Sequence, residues 1–458
     1  MRRRRTGFLL LAAAAFWLPI GSAAQQAEPG IPYETFTLPN GLVFIVHEDH
    51  SSPIVAVDVW YDVGSANEQL GRSGFAHLFE HLMFEETKNL SKGDFDDYLT
   101  AAGGMNNGST TEDRTNYFEV VPSNRVNLAL WLESERMANL SVTQANFTRE
   151  REVVKEERRL RVDNQPYGAA MLTLDTLSTD WFPYKHTVIG TMADLDSATV
   201  VDVMAFHDMY YVPNNAAIAV AGDVTAAEVR AMAERYFGAI QRGPEKAALP
   251  PVPATPRTDG ERRVVLDDRM ASIPLYSAVY SVPPHGHADT YALSLLSSIL
   301  GRGESSRLYQ RLVKDERAAL MVSVGVGSNA GPGTFVIRAF PNRGVAVSRV
   351  EDLVYDEIAK LQADGVTMRE LEKAKNQVRA SMVMGRQSVL QKAEALQHYR
   401  RYHGDLSAME TDLDRYMAVT SSDIRRVANR YLTVENRTVV IARPAQQGDA
   451  STDAKGGA

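Results

Sequence analysis

The residues best placed to do chemistry are His77-Leu78-Phe79-Glu80-His81. If residues 73–85 are helical, His77 and His81 stand at i and i+4 on one face, where two imidazoles reach the same ion, with Glu80 beside them. Ser73 has the side chain of an N-cap for that helix. Two neutral nitrogen donors suit a borderline-soft cation such as zinc, and a carboxylate next to them can take a proton from water. The order His-x-x-Glu-His inverts the common zincin motif. Catalytic zinc takes three protein ligands and keeps one position open. The chain has no cysteine, so the natural third ligand is a carboxylate. The charged run 149–157 offers Glu150, Glu152, Glu156 and Glu157 on a second helix, and spacing alone does not choose among them.

Such a site needs a scaffold. Residues 41–46 and 55–61 are rich in β-branched and aromatic residues and read as strands, whereas 73–85 and 126–138 carry apolar positions at helical spacing. The chain has 458 residues, beyond the size at which one core keeps growing. Residues 243–260 hold Pro244, Pro250, Pro251, Pro253 and Pro256, a linker composition that separates a half 31–242 from a half 261–445. The halves repeat one another. Arg125-Val126 leads through a helix to Ser141-Val142-Thr143 and a charged helix, as Arg349-Val350 leads to Gly365-Val366-Thr367 and a charged helix. Tyr211, Asn215 and an apolar strand recur as Tyr431, Asn436 and an apolar strand. A period this long implies duplication of a domain. The expected fold class is α+β: two homologous α/β-roll domains, each a mostly antiparallel sheet covered by helices.

Composition narrows the partners. A net charge of −8 leaves no basic field for phosphate backbones, so nucleic acid is not an expected partner. Arg2 to Arg5, the apolar run 8–20 and Gly21-Ser22-Ala23-Ala24 have the layout of a cleavable signal peptide spanning 1–24. The run is below the roughly 20 residues that span a bilayer, so no stable membrane anchor is expected, and the mature chain is expected to be periplasmic or secreted, in a bacterium. The small, polar residues 446–458 read as a disordered tail.

The motif at 77–81, followed downstream by Glu157 within Val-Val-x-Glu-Glu, resembles the pitrilysin (M16) family of inverzincin metallopeptidases, in particular its mitochondrial-processing-peptidase-like bacterial branch. The resemblance spans nearly all of the mature chain. It includes Asn40-Gly41-Leu42, Gly103-Gly104-x-x-Asn107-Gly108-x-Thr110 with Thr115 and Tyr117, His186-x-x-Ile189-Gly190, and Leu300-Gly301-x-Gly303-x-Ser305-Ser306-Arg307-Leu308.

The resemblance implies one zinc ion per chain on His77, His81 and Glu157, Glu80 as general base, and Glu150 as a carboxylate supporting the site. It makes Gly103 to Thr110 an edge strand that a peptide substrate extends, with Asn107 and Gly108 at the scissile bond. Gly108 stands where the family usually has Ala. Glu152 and Glu156 remain exposed helix charges, and His47, His50, His207, His285, His287, His398 and His403 take surface or packing roles. One departure bears on activity: the Arg and Tyr that active members carry in the second half align with Val313 and Leu320, unless Arg317 or Arg311 substitutes. Neither Val nor Leu donates a hydrogen bond. Some bacterial relatives divide the machinery between two chains, so the expected partner is a homologous Arg/Tyr-bearing subunit in a heterodimer, with a homodimer as the other arrangement. The competing expectation is a non-catalytic scaffold or peptide-binding member of the family.

Overall fold

Several strands of this chain are apolar on both faces, and that property sets the architecture. The computed structural model describes residues 30–445; the leader 1–24 and the tail 446–458 lie outside the described residues. The first half contributes β1 (Glu34–Thr37), β2 (Val43–Glu48), β3 (Ile54–Tyr61), β4 (Met105–Thr110), β5 (Thr115–Pro122) and β6 (Ala216–Gly222). Its helices are α1 (Phe75–Leu82), α2 (Asp94–Ala101), α3 (Val126–Asn139), α4 (Gln144–Arg158), α5 (Gly168–Ser178), α6 (Met192–Ser197), α7 (Val200–Tyr210) and α8 (Ala226–Phe237). The second half contributes β7 (Arg262–Asp268), β8 (Leu275–Val282), β9 (Ala319–Gly327), β10 (Gly333–Pro341) and β11 (Arg437–Pro444). Its helices are α9 (Asp289–Gly301), α10 (Val347–Asp364), α11 (Met368–Met384), α12 (Val389–His398), α13 (Ala408–Ala418) and α14 (Ser421–Tyr431). Residues 241–261, between α8 and β7, form neither helix nor strand.

Five strands of each sheet share one topology, and β1 adds an edge strand to the first. The first runs β1-β2-β6-β3-β5-β4 and the second β7-β11-β8-β10-β9. In each, a single parallel pair, β2 with β6 and β7 with β11, sits among antiparallel neighbours. The halves are therefore the homologous, mostly antiparallel α+β units read from the sequence. Local chemistry repeats as well. Thr143 and Thr367 cap α4 and α11 in the same way, and Asn215 and Asn436 donate to the Tyr210 and Tyr431 carbonyls at 2.8 and 2.7 Å.

The central strands show why each sheet needs two covers. In β6, Ile218 and Val220 enter the core under the first half's own helices, whereas Ala219 and Ala221 face the other way; the period of two divides the strand between faces. The second cover is α12, a helix of the other half, which lays Val389, Ala393 and Leu396 against Ile45, Ala56, Ala219 and Ala221. Alanines there let a helix approach closely. The exchange is reciprocal: α5, from the first half, sets Ala170 and Leu174 against Leu275, Val279, Val440 and Ala442 of the second sheet.

Candidate metal centre

The helix that carries the two histidines is held from outside. It begins at Phe75 rather than Ser73, and its cap residue is Gly74 at φ 91°, a left-handed conformation that favours glycine. Ser73 does not act as the N-cap. Its hydroxyl is turned to Asp194, and the free amides of the first turn are taken by the buried Glu68, whose carboxylate accepts from Gly74 N at 2.9 Å and Ala76 N at 2.8 Å. Burial pushes the Glu68 carboxyl well up, and the amide bonds offset only part of that. Nothing in local spacing announced Glu68, because it lies on the preceding turn and reaches the helix only through the fold.

Phe75, Leu78, Phe79 and Leu82 turn into the core, which leaves His77, Glu80 and His81 on the opposite stripe, toward α4 and β4. On α4, Glu157 arrives with Oε2 at 3.7 Å from His77 Nε2 and 3.2 Å from His81 Nε2. Of the four candidate glutamates, Glu157 alone forms a mutually close ligand group with the two histidines among the described residues. Zinc–nitrogen and zinc–oxygen bonds of about 2.0–2.2 Å place tetrahedral ligand atoms about 3.3 Å apart. The observed separations bracket that value, so the donor set fits a zinc ion.

Protonation suits the same purpose. Burial, and then the neighbouring His81, bring the His77 imidazole down to about 4, so it stands neutral with its lone pair free. Burial also opposes charge on His81, but Glu150, Glu157 and Glu80 outweigh it and raise this group. His77 Nδ1 is buried without a hydrogen-bond partner, whereas His81 Nδ1 lies 3.7 Å from Glu150 Oε2. Glu150 in turn meets Lys92 Nζ at 3.3 Å and Arg149 Nε at 3.4 Å. Glu156 and Glu152 pair with Arg159 and Lys155 on the outer side of α4.

Glu80 faces the edge strand. Its Oε2 accepts from Thr110 Oγ1 at 2.6 Å, and burial raises its carboxyl. Gly108 sits against it, and a Cβ there would stand 3.3 Å from Glu80 Cγ and 3.2 Å from Tyr117 Cδ1. β4 pairs only with β5, and its other edge is free of strand partners among the described residues. The Gly108 amide is covered by Asn107 Oδ1 at 2.9 Å, so an incoming strand would displace that side chain to pair there.

A cavity of about 570 Å³ opens on this stripe. Its walls include His77, Thr110 and Glu157 from the first half and Ser281, Asn329 and Gly333 from the second. Val313 is half-buried against the second core, and Leu320 is exposed on β9. Neither lines the cavity. Arg311 is paired with Glu316 at 2.8 Å, and Arg317, at φ 49°, is exposed on the turn before β9. In the second half α9 follows β8 as α1 follows β3, but it carries neither histidine nor glutamate.

The histidines outside the motif divide. His47 bonds the Pro32 carbonyl, and His50 and His207 meet Asp223 and Asp208. His285, His398 and His403, read above as surface or packing residues, instead converge into one group. His285 lies more than a hundred positions before the other two, too far for spacing to join it to them.

Comparison with known proteins gives the same outline. Residues 43–188 match the model of the insulinase family, peptidase family M16, and residues 197–378 match the model of the M16 inactive domain. The zinc protease PqqE of Helicobacter pylori is 33% identical over 95% of this chain and 98% of its own length. A probable mitochondrial-processing peptidase subunit beta of Schizosaccharomyces pombe is 27% identical over 87% of this chain and 88% of its own. Among solved structures, a protease from Helicobacter pylori superposes with a TM-score of 0.86 at 32% identity, covering 91% of this chain and all of that one. An M16 inactive domain from Pseudomonas fluorescens, 21% identical and covering 91% and 99% of the two chains, shares the fold with a TM-score of 0.82.

Proposed function

Because the chain belongs to the insulinase family of M16 peptidases, we propose that it is a zinc-dependent endopeptidase of peptides or unfolded polypeptides, working beside a homologous second chain. The observation that carries this reading is the meeting of His77, His81 and Glu157 with Glu80 beside an edge strand whose outer side has no strand partner among the described residues. His77 Nε2, His81 Nε2 and a Glu157 carboxylate oxygen would hold the ion. When bound, zinc supplies Lewis-acid polarisation and makes a water acidic near neutral pH.

The rest is the work of this chain's own groups. Glu80, steadied by Thr110, takes a proton on its free oxygen and later returns it to the leaving amine. The backbone of β4 aligns the substrate by adding it as a strand, so affinity comes from main-chain bonds and tolerates varied side chains. Glu150 keeps the His81 ring oriented. The leader-like residues 1–24 extend the proposal to an exported enzyme that acts in a periplasm or outside the cell.

Val313 and Leu320 favour division of labour. With no Arg and Tyr at these positions, a partner that bears them supplies the donors opposite the scissile carbonyl. Cleavage of a quenched-fluorescence peptide library by the purified chain, alone and with a homologue lacking His-x-x-Glu-His, tests both parts. The expected result is chelator-sensitive turnover that rises at least tenfold with the partner. Full activity of the isolated chain removes the partner, and a zinc-loaded chain inactive in both arms is a peptide-binding subunit instead. Glu80→Gln should keep its zinc, measured by metal analysis, and lose turnover by about 10²–10⁴-fold, the usual contribution of a general base.

A further inference from the structure

The second group of convergent histidines lies where the two halves interlock. His398 ends α12, the helix laid across the first half's sheet. The next turn, Tyr399–His403, is π-helical, and its wider winding brings positions five apart toward one face. His403 therefore turns to the side of His398, with ring centroids 6.0 Å apart. His285 comes from the turn after β8 and is fixed by its own amide, which donates to the Asn329 carbonyl at 2.8 Å. Its ring lies 4.8 Å from that of His398 and 4.6 Å from that of His403. One ring nitrogen from each residue lies within 4.8 Å of the others, and His285 Nε2 faces His403 Nε2 at 2.7 Å.

We propose that His285, His398 and His403 form a second metal site, a three-imidazole clip for a borderline divalent transition ion that ties the end of α12 to the turn after β8. Three neutral nitrogen donors without thiolate suit zinc, nickel, cobalt or copper and not a hard cation. A bound ion needs about 3.3 Å between ligand nitrogens, so the facing pair, which shares one proton as a hydrogen bond at 2.7 Å, opens by about 0.6 Å through ring rotation and that proton moves to the ring's other nitrogen or to water. All three rings are partly buried. Behind them Asp412, buried and bonded by Tyr291 and Tyr399 at 2.9 Å each, provides a negative charge for a cation. The clip does not depend on the peptidase reading, since it shares no residue with the first centre.

The test uses the full chain carrying His77→Gln and His81→Gln, which removes both imidazoles of the first centre. After stripping with chelator, it is titrated with cobalt(II), followed by visible d–d absorption, and with zinc by calorimetry. One equivalent of each should bind, tighter than about 10 μM, and raise the melting temperature. Adding His403→Gln, or separately His285→Gln, should abolish binding while far-ultraviolet circular dichroism stays unchanged; His47→Gln should leave binding intact. Absence of binding by the folded parent, or binding that survives both added substitutions, overturns the site. Should one added substitution unfold the chain, the other and the parent's stoichiometry still decide.

Discussion

Glu150 shows how one side chain links the metal centre to its surroundings. Burial works against its charge, yet bonds from His81, Glu85 and Lys92 bring its carboxyl down to about 2. It therefore stays a carboxylate and faces His81 Nδ1, the nitrogen turned away from Glu157. A carboxylate in that position fixes the ring tautomer and makes the other nitrogen a better donor. Glu150→Gln keeps the shape and removes the charge, so zinc affinity should fall about 10–100-fold while turnover at saturating zinc changes much less. Competition against a chromogenic chelator measures the first and the peptide assay the second. Unchanged affinity would show that the ring is oriented by packing alone.

At the scale of the element, α1 is a short helix whose register places His77 and His81 side by side, and its start depends on groups outside it. Glu68 satisfies two first-turn amides. The loop that ends in Ile189-Gly190 closes over the same point. A Cβ on Gly190, at φ 75°, would stand 2.4 Å from the Ser73 carbonyl, and one on Gly74 would stand 2.9 Å from the Ile189 carbonyl. This close crossing gives the His186-x-x-Ile189-Gly190 stretch its physical meaning: the glycine allows a loop to seat on the helix that holds the metal ligands. Loss of a helix cap costs about 1–2 kcal/mol. Glu68→Gln should therefore lower the melting temperature by about 2–8 °C for halves of this size and weaken zinc binding in parallel. A melting curve and zinc affinity both matching wild type would mean that water caps the helix as well.

The whole molecule is held by the exchange of α5 and α12, and ion pairs reinforce the crossing. Lys392 on α12 meets Asp49 at the end of β2, and Arg400 meets both oxygens of Asp62 at 2.7 and 3.1 Å. The hydrogen bond from Lys392 holds the Asp49 carboxyl well below the usual carboxylate range. A depressed carboxyl contributes stability that is full above its unfolded value of about 3.9 and is lost as pH falls through the folded value. Lys392→Gln should accordingly melt below wild type at pH 7, and the two curves should converge as pH falls below about 4. A difference that persists in acid would assign the effect to the lysine's packing along α12.

The metal stripe was legible in the residues themselves, because two imidazoles and a carboxylate within five positions need only one turn of helix to meet. The duplication was legible too, since its marks are local: a threonine cap, an asparagine after a tyrosine, an alternating strand. Beyond that, spacing stopped short of the third ligand. Glu150, Glu152, Glu156 and Glu157 differ only by their direction around α4, and the packing of α4 against α1 sets which one points at the histidines. The cap of α1 was misread as Ser73 because the fold turns that hydroxyl to Asp194, 121 positions away, and leaves the first-turn amides to Glu68 on the preceding turn. The exchanged helices and the meeting of His285 with His398 and His403 depend on segments more than a hundred positions apart. Local chemistry is written in the order of residues; which distant elements share a face is decided only when two-sided strands find the helices that cover them.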